Sequence, residues 1–535
     1  MESKKKWINN ILTRRFLYLL LFFITIYLCW EKPTNVFFTT FFSSFFLLRL
    51  IFCLKRSFIR NFLVINLLMI CFITLFINYK YGDISTSMIM SVIGVNAAVS
   101  MGTVKTFGVS FALLFISILS ILLFLTINIS KARYSLKEKF LLIFTILILL
   151  CKPLLDGGKH WGYKFYLNNI KYSPTFVSQP YLDQFKIFFG PVISAISVYT
   201  ENALNTYKYN KVKHRYLPEY VSIDKSNKQV KNIVYVIGES SNPGRYAIYG
   251  YGEKTTPNLS RMKEENKICL FFNVHSPAAQ TRLAVPMLTS LESPRERKNL
   301  FKYKNLIEMA QSQTFKTYWF DAQMQNNMWN KPFGYIAQYA EVLQTPEGNN
   351  TGFTLSEGQD EKLMPAIEHY FRQSSGKNFF VIHLMGNHLP YGSFQTTPDV
   401  TFKDPYDTSV YQVDSMLNKI ISLSDKYLKE YQLVYISDHG EVVGSGHGYP
   451  TKDNEMYRIP FLMTSSDYCD DVQNFRSSSG ELNSNMIKFL ILKMLGYSVS
   501  NKKLADEKNH SQLILNEKEE IINYDNLNNM PLLGH

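Results

Sequence analysis

Apolar positions are distributed unevenly along this chain. Up to about residue 153, Phe, Leu and Ile dominate in long runs without a polar face, as in Phe16-Leu-Tyr-Leu-Leu-Leu-Phe-Phe-Ile-Thr-Ile-Tyr-Leu28. Past about residue 205 the pattern is mixed, and short apolar runs alternate with segments of helical period. A helix needs roughly 20 apolar residues to cross a bilayer. Five runs meet or approach that length, at about 14–30, 36–54, 60–79, 109–128 and 139–153. A helix on the surface of a globular domain would show a polar face, which the first run lacks. The first run is long and aromatic, has no small-residue cleavage site and is followed by further spans, unlike a cleaved signal peptide.

Basic residues mark the flanks of alternate spans. Lys4, Lys5, Lys6, Arg14 and Arg15 precede the first; Lys55, Arg56 and Arg60 separate the second and third; Lys131, Arg133, Lys137 and Lys139 separate the fourth and fifth. Lys and Arg favour the cytoplasmic side. The alternation therefore predicts a multi-pass protein with an inner N-terminus, five crossings and an outer C-terminal domain, whose chemistry faces the periplasm or the cell exterior. ATP is absent there, so a transferase must draw on an activated donor such as a membrane lipid. Residues 154–230 read as a connector. Within it, Tyr181 to Ser197 reads as an interfacial helix interrupted near Gly190-Pro191.

Three strand-like runs in the polar half each end in a metal-ligand type. Asn232-Ile-Val-Tyr-Val-Ile-Gly-Glu239 ends in a carboxylate, and Phe379-Phe-Val-Ile-His-Leu-Met-Gly-Asn-His388 in a histidine. Leu433-Val-Tyr-Ile-Ser-Asp-His-Gly-Glu441 delivers Asp438 and His439 together. The pattern predicts a further strand over Phe315 to Asp321. Helical patterns fall between them, for example over Asn305–Gln311 and Val413–Leu423. Alternating strands and helices predict an α/β domain with a mostly parallel sheet covered on both faces. Its ligands would gather at the carboxyl edge, where such folds place their sites. The expected divisions are a transmembrane domain of five helices (1–153), the connector (154–230), a catalytic domain (231–500) and a polar tail (501–535).

The formal net charge of +14 would suit nucleic acid in a soluble protein, but many of the basic residues flank apolar spans. Anionic lipid is the better-matched partner, and no nucleic-acid motif is present. Of the six cysteines, Cys29, Cys53, Cys71 and Cys151 lie in or beside apolar spans. Cys269 and Cys469 lie in the polar half; no disulfide framework is evident, and their pairing stays open.

The ordered set of motifs carries a family resemblance. Val236-Ile-Gly-Glu-Ser240, Tyr249-Gly-Tyr-Gly with Thr255-Thr-Pro-Asn-Leu259, Thr281 with Val285-Pro286, Met385-Gly-Asn-His-Leu-Pro390, Ser437-Asp-His-Gly-Glu441 and Gly446-His-Gly448 occur behind a five-span anchor. The chain resembles the phosphoethanolamine transferases that decorate lipopolysaccharide, members of the alkaline phosphatase/sulfatase superfamily. The resemblance implies a zinc ion held by Glu239, Thr281, Asp438 and His439, with Thr281 as nucleophile. A dication lowers the pKa of a threonine hydroxyl that is otherwise a poor nucleophile. A helix beginning at Thr281, with Pro286 early in it, would turn backbone N–H groups toward a phosphate.

His388 and His447 match the second cluster. They could bind a second zinc, hold phosphoryl oxygens, or act as acid and base. The implied reaction takes phosphoethanolamine from phosphatidylethanolamine, forms a phosphothreonine and passes the group to lipopolysaccharide. Members that modify lipid A carry cysteines flanking the nucleophile, where Ala278 and Met287 stand here; a core sugar is therefore the favoured acceptor. Alternatives are glycerophosphate transfer of the lipoteichoic acid synthase type, a membrane-anchored sulfatase or phosphodiesterase, and a non-enzymatic scaffold. His383 and Thr289 are expected to be structural, and Arg245, Asn327 and Lys331 to be solvated surface residues.

Overall fold

The computed structural model describes residues 2–30, 32–86, 88–90, 134–161, 163, 175–204, 215–224, 226, 229–325, 329–348, 351–353, 355, 358–391, 400–451 and 453–528. The chain divides into two compact units, Met1–Tyr207 and Lys208–His535.

In the first unit the first, second, third and fifth apolar runs fall in helices α1 (Glu2–Leu28), α2 (Thr34–Ile51), α3 (Ser57–Tyr81) and α4 (Leu136–Trp161). The fourth run, 109–128, lies outside the described residues, as does most of the loop before it. Among the described residues three helices are long and apolar enough to cross a membrane: Thr34–Ile51, Ser57–Tyr79 and Leu136–Lys159. The fifth run was expected to end at 153, but α4 continues with Pro153 inside it. Neighbouring helices can satisfy the backbone that such a proline frees. The expected interruption in the connector is present, between α5 (Thr175–Gln184) and α6 (Phe189–Leu204). A Cβ at Gly190 would lie 1.9 Å from the Phe185 carbonyl oxygen, so only glycine permits this turn.

A polar clamp joins the ends of these helices. Lys186 Nζ lies 3.0 Å from both Asp83 carboxylate oxygens, and Lys32 Nζ donates to Asp83 Oδ2 at 2.8 Å. The Lys186 side chain is only 3% exposed, so its charge depends on Asp83. Removing one partner of a buried pair strands the other. Asp83→Asn is therefore expected to destabilise this unit by about 3 kcal/mol, seen as a lower melting temperature in detergent. Asp83→Asn with Lys186→Met should recover much of the loss.

In the second unit seven strands form one mixed sheet: β1 (Asn232–Gly238), β2 (Ile268–Phe271), β3 (Lys316–Asp321), β4 (Val342–Gln344), β5 (Asn378–His383), β6 (Tyr431–Ser437) and β7 (Phe461–Thr464). Their spatial order is β2-β7-β6-β1-β5-β3-β4. The β6-β1-β5-β3-β4 pairings are parallel, whereas β7 pairs antiparallel with both β6 and β2 at one edge. Alternate residues of β1 feed two cores: Ile233, Tyr235 and Ile237 join one, Val234 and Val236 the other. Helix α7 (Thr281–Thr289) covers the first face through Val285 and Leu288, and α8 (Pro405–Leu423) the second through Val413, Leu417 and Ile420. The register sets Ile237 against both His383 and Ile436, so β1, β5 and β6 end level. This levelling brings their terminal ligand residues together.

The antiparallel edge also settles the cysteines: Cys269 on β2 and Cys469 form a disulfide. Their 200-residue separation carries no pairing signal in the sequence; the β2–β7 ladder supplies the proximity. Cys269→Ser with Cys469→Ser is expected to cost about 2–5 kcal/mol of stability, measured by denaturant unfolding against the oxidised protein.

Residues 501–528, the described part of the polar tail, are ordered. They form a helix, Asn501–Asn509, and an antiparallel hairpin of β8 (Leu513–Leu515) and β9 (Ile521–Asn523). The short apolar triplets of the hairpin were too small to register against their Asn, Lys and Glu surroundings.

Candidate metal centre

Glu239 directly follows β1, and Asp438 and His439 directly follow β6, so adjacent parallel strands present all three side chains at one edge. Each of the three is fully buried. Thr281 is the first residue of α7, preceded by Gln280 in extended conformation. Its hydroxyl donates to Glu239 Oε2 at 2.9 Å and lies 3.2 Å from His439 Nε2. His439 Nε2 is 3.2 Å from Glu239 Oε1 and 3.4 Å from Asp438 Oδ2. The four residues singled out from the sequence therefore converge.

Several features fit a dication at this point. The separations of 2.9–3.4 Å among the donors bracket the edge of about 3.3 Å expected of a tetrahedron with Zn–N and Zn–O bonds near 2.0–2.1 Å. Asp438 Oδ2 is buried without a hydrogen-bond partner. An orphaned carboxylate oxygen is costly unless a cation meets it. His439 Nδ1 lies 2.9 Å from the Gly440 carbonyl oxygen, which fixes Nδ1 as an N–H and turns Nε2, the atom left to meet a cation, toward the carboxylates.

The electrostatics agree. Burial and the Glu239 charge push the Asp438 carboxyl up to about 7. Burial opposes charge on Glu239 too, yet the His439 imidazole holds it well below the usual range. Burial works against charge on His439, but Asp438 and Glu239 outweigh it and push the imidazole up to about 10. Two buried carboxylates this close call for positive charge between them.

The second pair also closes on the site, but differently from expectation. His447 lies against His439 at a tilt of 47°, with ring centroids 4.1 Å apart, and its ring is 5.8 Å from that of His388. Glu239, His439 and His447 offer ligand atoms within 4.8 Å of one another, so His447 borders the first cluster as well as the second. His447 Nδ1 bonds Glu441 Oε2 at 2.7 Å, and Tyr391 donates to Glu441 Oε1 at 2.6 Å. His388 Nδ1 is 2.5 Å from the Leu389 carbonyl oxygen.

Some contributors were missed. Gln323 Nε2 donates to Glu239 Oε2 at 2.9 Å and to the Leu384 carbonyl at 3.1 Å, orienting the carboxylate from behind. It lies two residues past β3, a strand legible in the sequence, but no ligand-type residue at 323 marks the position. Ser240 donates to Glu239 Oε1 at 2.6 Å from a left-handed turn at φ 53°. Glu441 stood inside a quoted motif without a role. His383 is structural as expected: it pairs with Asp321 at 3.0 Å inside the sheet edge. Arg245 is not a free surface residue, since it pairs with Asp404 and Asp407. Lys331 begins a short helix, Lys331–Ala337, while Asn327 lies outside the described residues. Thr289 caps its own helix by donating to the Val285 carbonyl at 2.7 Å.

Residues 231–484 match the sulfatase family. The chain is similar to the phosphoethanolamine transferase EptA of Helicobacter pylori, 26% identical over 286 residues, covering 49% of this chain and 52% of that protein. It is 28% identical over 280 residues to EptA of Escherichia coli K12, covering 45% and 48%. The chain thus spans about half the length of the curated relatives it matches. The fold extends further: the lipooligosaccharide phosphoethanolamine transferase EptA of Neisseria meningitidis superposes over 92% of this chain and 97% of that one, with a TM-score of 0.62 at 17% identity. The resemblance read from the motifs is borne out.

Proposed function

We propose that this protein is a zinc-dependent transferase of the bacterial inner membrane. It moves phosphoethanolamine from phosphatidylethanolamine to lipopolysaccharide in the periplasm. The observation that carries the reading is the Thr281 hydroxyl at the start of α7, bonded to Glu239 at 2.9 Å and 3.2 Å from His439 Nε2. The motif order, the apolar helices and the names of the relatives support the donor and the compartment. The Cys269–Cys469 bridge supports an oxidising compartment for the sulfatase domain.

Zinc held by Glu239, Asp438 and His439, with Thr281 beside them, would favour the alkoxide form of the threonine and offset phosphoryl charge. Thr281 Oγ attacks the donor phosphorus. The Oγ–P bond forms and the bond from phosphorus to the diacylglycerol oxygen breaks. The threonine proton passes toward Glu239 Oε2, its hydrogen-bond acceptor. The departing oxygen takes a proton from His447, whose Nδ1 is anchored on Glu441, or from His388. An acceptor hydroxyl then attacks the phosphothreonine: its oxygen–phosphorus bond forms as the Oγ–P bond breaks, its proton passes to the histidine that protonated the departing oxygen, and Oγ regains its proton from Glu239. Backbone N–H groups at the start of α7 face the phosphoryl oxygens during both steps.

Ala278 and Met287 pack with Leu283 and Leu515 beside the nucleophile, where lipid A-modifying relatives carry cysteines. This departure favours a core sugar as acceptor. The test uses the full-length protein in vesicles of phosphatidylethanolamine or phosphatidylglycerol. Peptide mass spectrometry is expected to find phosphoethanolamine on the Thr281 peptide with the first lipid only. A glycerophosphate mass would point to the lipoteichoic acid type of transfer instead, and absence of any adduct together with unaltered glycolipid in cells lacking the gene would sink both.

A further inference from the structure

The C-terminal hairpin grips the segment that carries Thr281. Leu515 N donates to the Pro277 carbonyl at 2.8 Å, and Leu515 packs with Ala278, Leu283, Ala284 and Met287. The loop tip places Glu519 against the residue after the nucleophile: Arg282 Nη1 lies 2.6 Å from Glu519 Oε1. Both side chains are largely buried, at 9% and 13% exposure, so the pair is desolvated and geometrically restrictive. Arg297 adds a second contact to Glu519 at 3.5 Å. Glu519 itself adopts a left-handed φ of 60°, which a glutamate rarely takes without compensating contacts.

The same hairpin braces the other side of the site. Tyr524 stacks on His275 with ring centroids 4.0 Å apart and accepts from Asn454 at 3.1 Å. Residues 454–458 in turn pin the turn after His439: Gly440 N donates to the Met456 carbonyl at 2.9 Å. A Cβ at Gly440 would sit 2.2 Å from the Glu455 carbonyl oxygen, so this approach is as close as backbone allows. Both the nucleophile loop and the Asp438-His439 turn therefore lean on residues 511–528.

We propose that this hairpin is a positioning clamp for the transfer site, with Glu519, acting through Arg282, holding the first turn of α7 in register with Glu239 and His439. It does work that a sequence reading assigned to no segment, and it stands where apolar packing replaces flanking cysteines. The inference rests on the Thr281 reading above only for its catalytic arm. Misplacing a reacting atom by about 1 Å can cost 10²-fold in rate.

The experiment uses the full-length protein in phosphatidylethanolamine vesicles with Glu519→Gln and Glu519→Asp. Hydrogen exchange is expected to rise over residues 276–284 in Glu519→Gln while β1 and β6 keep their protection. Phosphothreonine formation should slow by about tenfold to a hundredfold at saturating donor, with donor KM unchanged, and Glu519→Asp should restore part of both. Exchange over 276–284 equal to wild type would overturn the clamp. So would loss of protection spread across the whole domain, which marks a general stability role. If wild type forms no adduct, the exchange result still decides the clamp while the transfer reading fails separately.

Discussion

Thr281→Ala is expected to abolish the phosphoethanolamine adduct and to lower transfer by at least about 10⁴-fold, the scale seen when a covalent nucleophile is removed. The fold should survive, because the hydroxyl's partners are Glu239 and His439 rather than core groups. Glu239 would keep Gln323 and Ser240 as donors. Zinc content should remain close to wild type, since the two carboxylates and His439 stay in place. Thr281→Ser gives the companion result: it keeps the oxygen and should retain measurable transfer. Wild-type turnover in Thr281→Ala would remove the threonine from the mechanism and return the site to direct attack by water or acceptor.

Asp438→Asn has an effect of comparable size with an opposite signature in the metal-free protein. The amide can still accept from the His439 and Ser240 backbone N–H groups, so local geometry persists. Zinc affinity is expected to fall by at least about 100-fold, more than the loss of an outer-shell partner produces. Added zinc should raise the melting temperature of wild type and leave Asp438→Asn unmoved. Without zinc the order reverses: wild type buries two carboxylates beside each other, and the variant only one. Burial and Glu239 push the Asp438 carboxyl up to about 7, so the carboxylate form is strained at neutral pH without a cation. The variant should melt at or above the zinc-free wild type. A variant that binds zinc normally, or is less stable than wild type after chelation, would argue that Asp438 serves the fold and not a metal.

The convergence of Glu239, Thr281, Asp438 and His439 was legible because each ends or begins an element with a strong pattern. Val and Ile runs in β1 and β6 are too apolar to be anything but covered strands, and a carboxylate at the end of each has one destination, the sheet edge. Thr281 was legible only through its neighbours, Val285 and Pro286. What escaped depends on contacts between distant segments. Gln323 reaches Glu239 because β3 and β5 lie in register, with Asp321 against His383. Nothing in the residues near Gln323 encodes that distance. The antiparallel edge at β7 and the cysteine pairing share this origin, since a four-residue strand such as Phe461–Thr464 does not declare its direction. The hairpin at 513–523 was hidden by composition, its apolar triplets diluted among Asn, Lys and Glu.

The Cys269–Cys469 bond closes a covalent ring around a chosen part of the site. Thr281, His388, Asp438, His439 and His447 all lie within the ring; Glu239 lies outside it, on the strand that enters first. Synthesis must pass Cys469 before the ring can form, so every ring-borne site residue has emerged by then. Glu239 joins them without a covalent tie, through the hydrogen bonds of β1 to β5 and β6 and its own bonds to Thr281 and Gln323. Reduction would leave each site residue in the chain yet free the β2–β7 edge that borders β6. Loss of metal on reduction would therefore report how firmly that edge holds the Asp438-His439 turn.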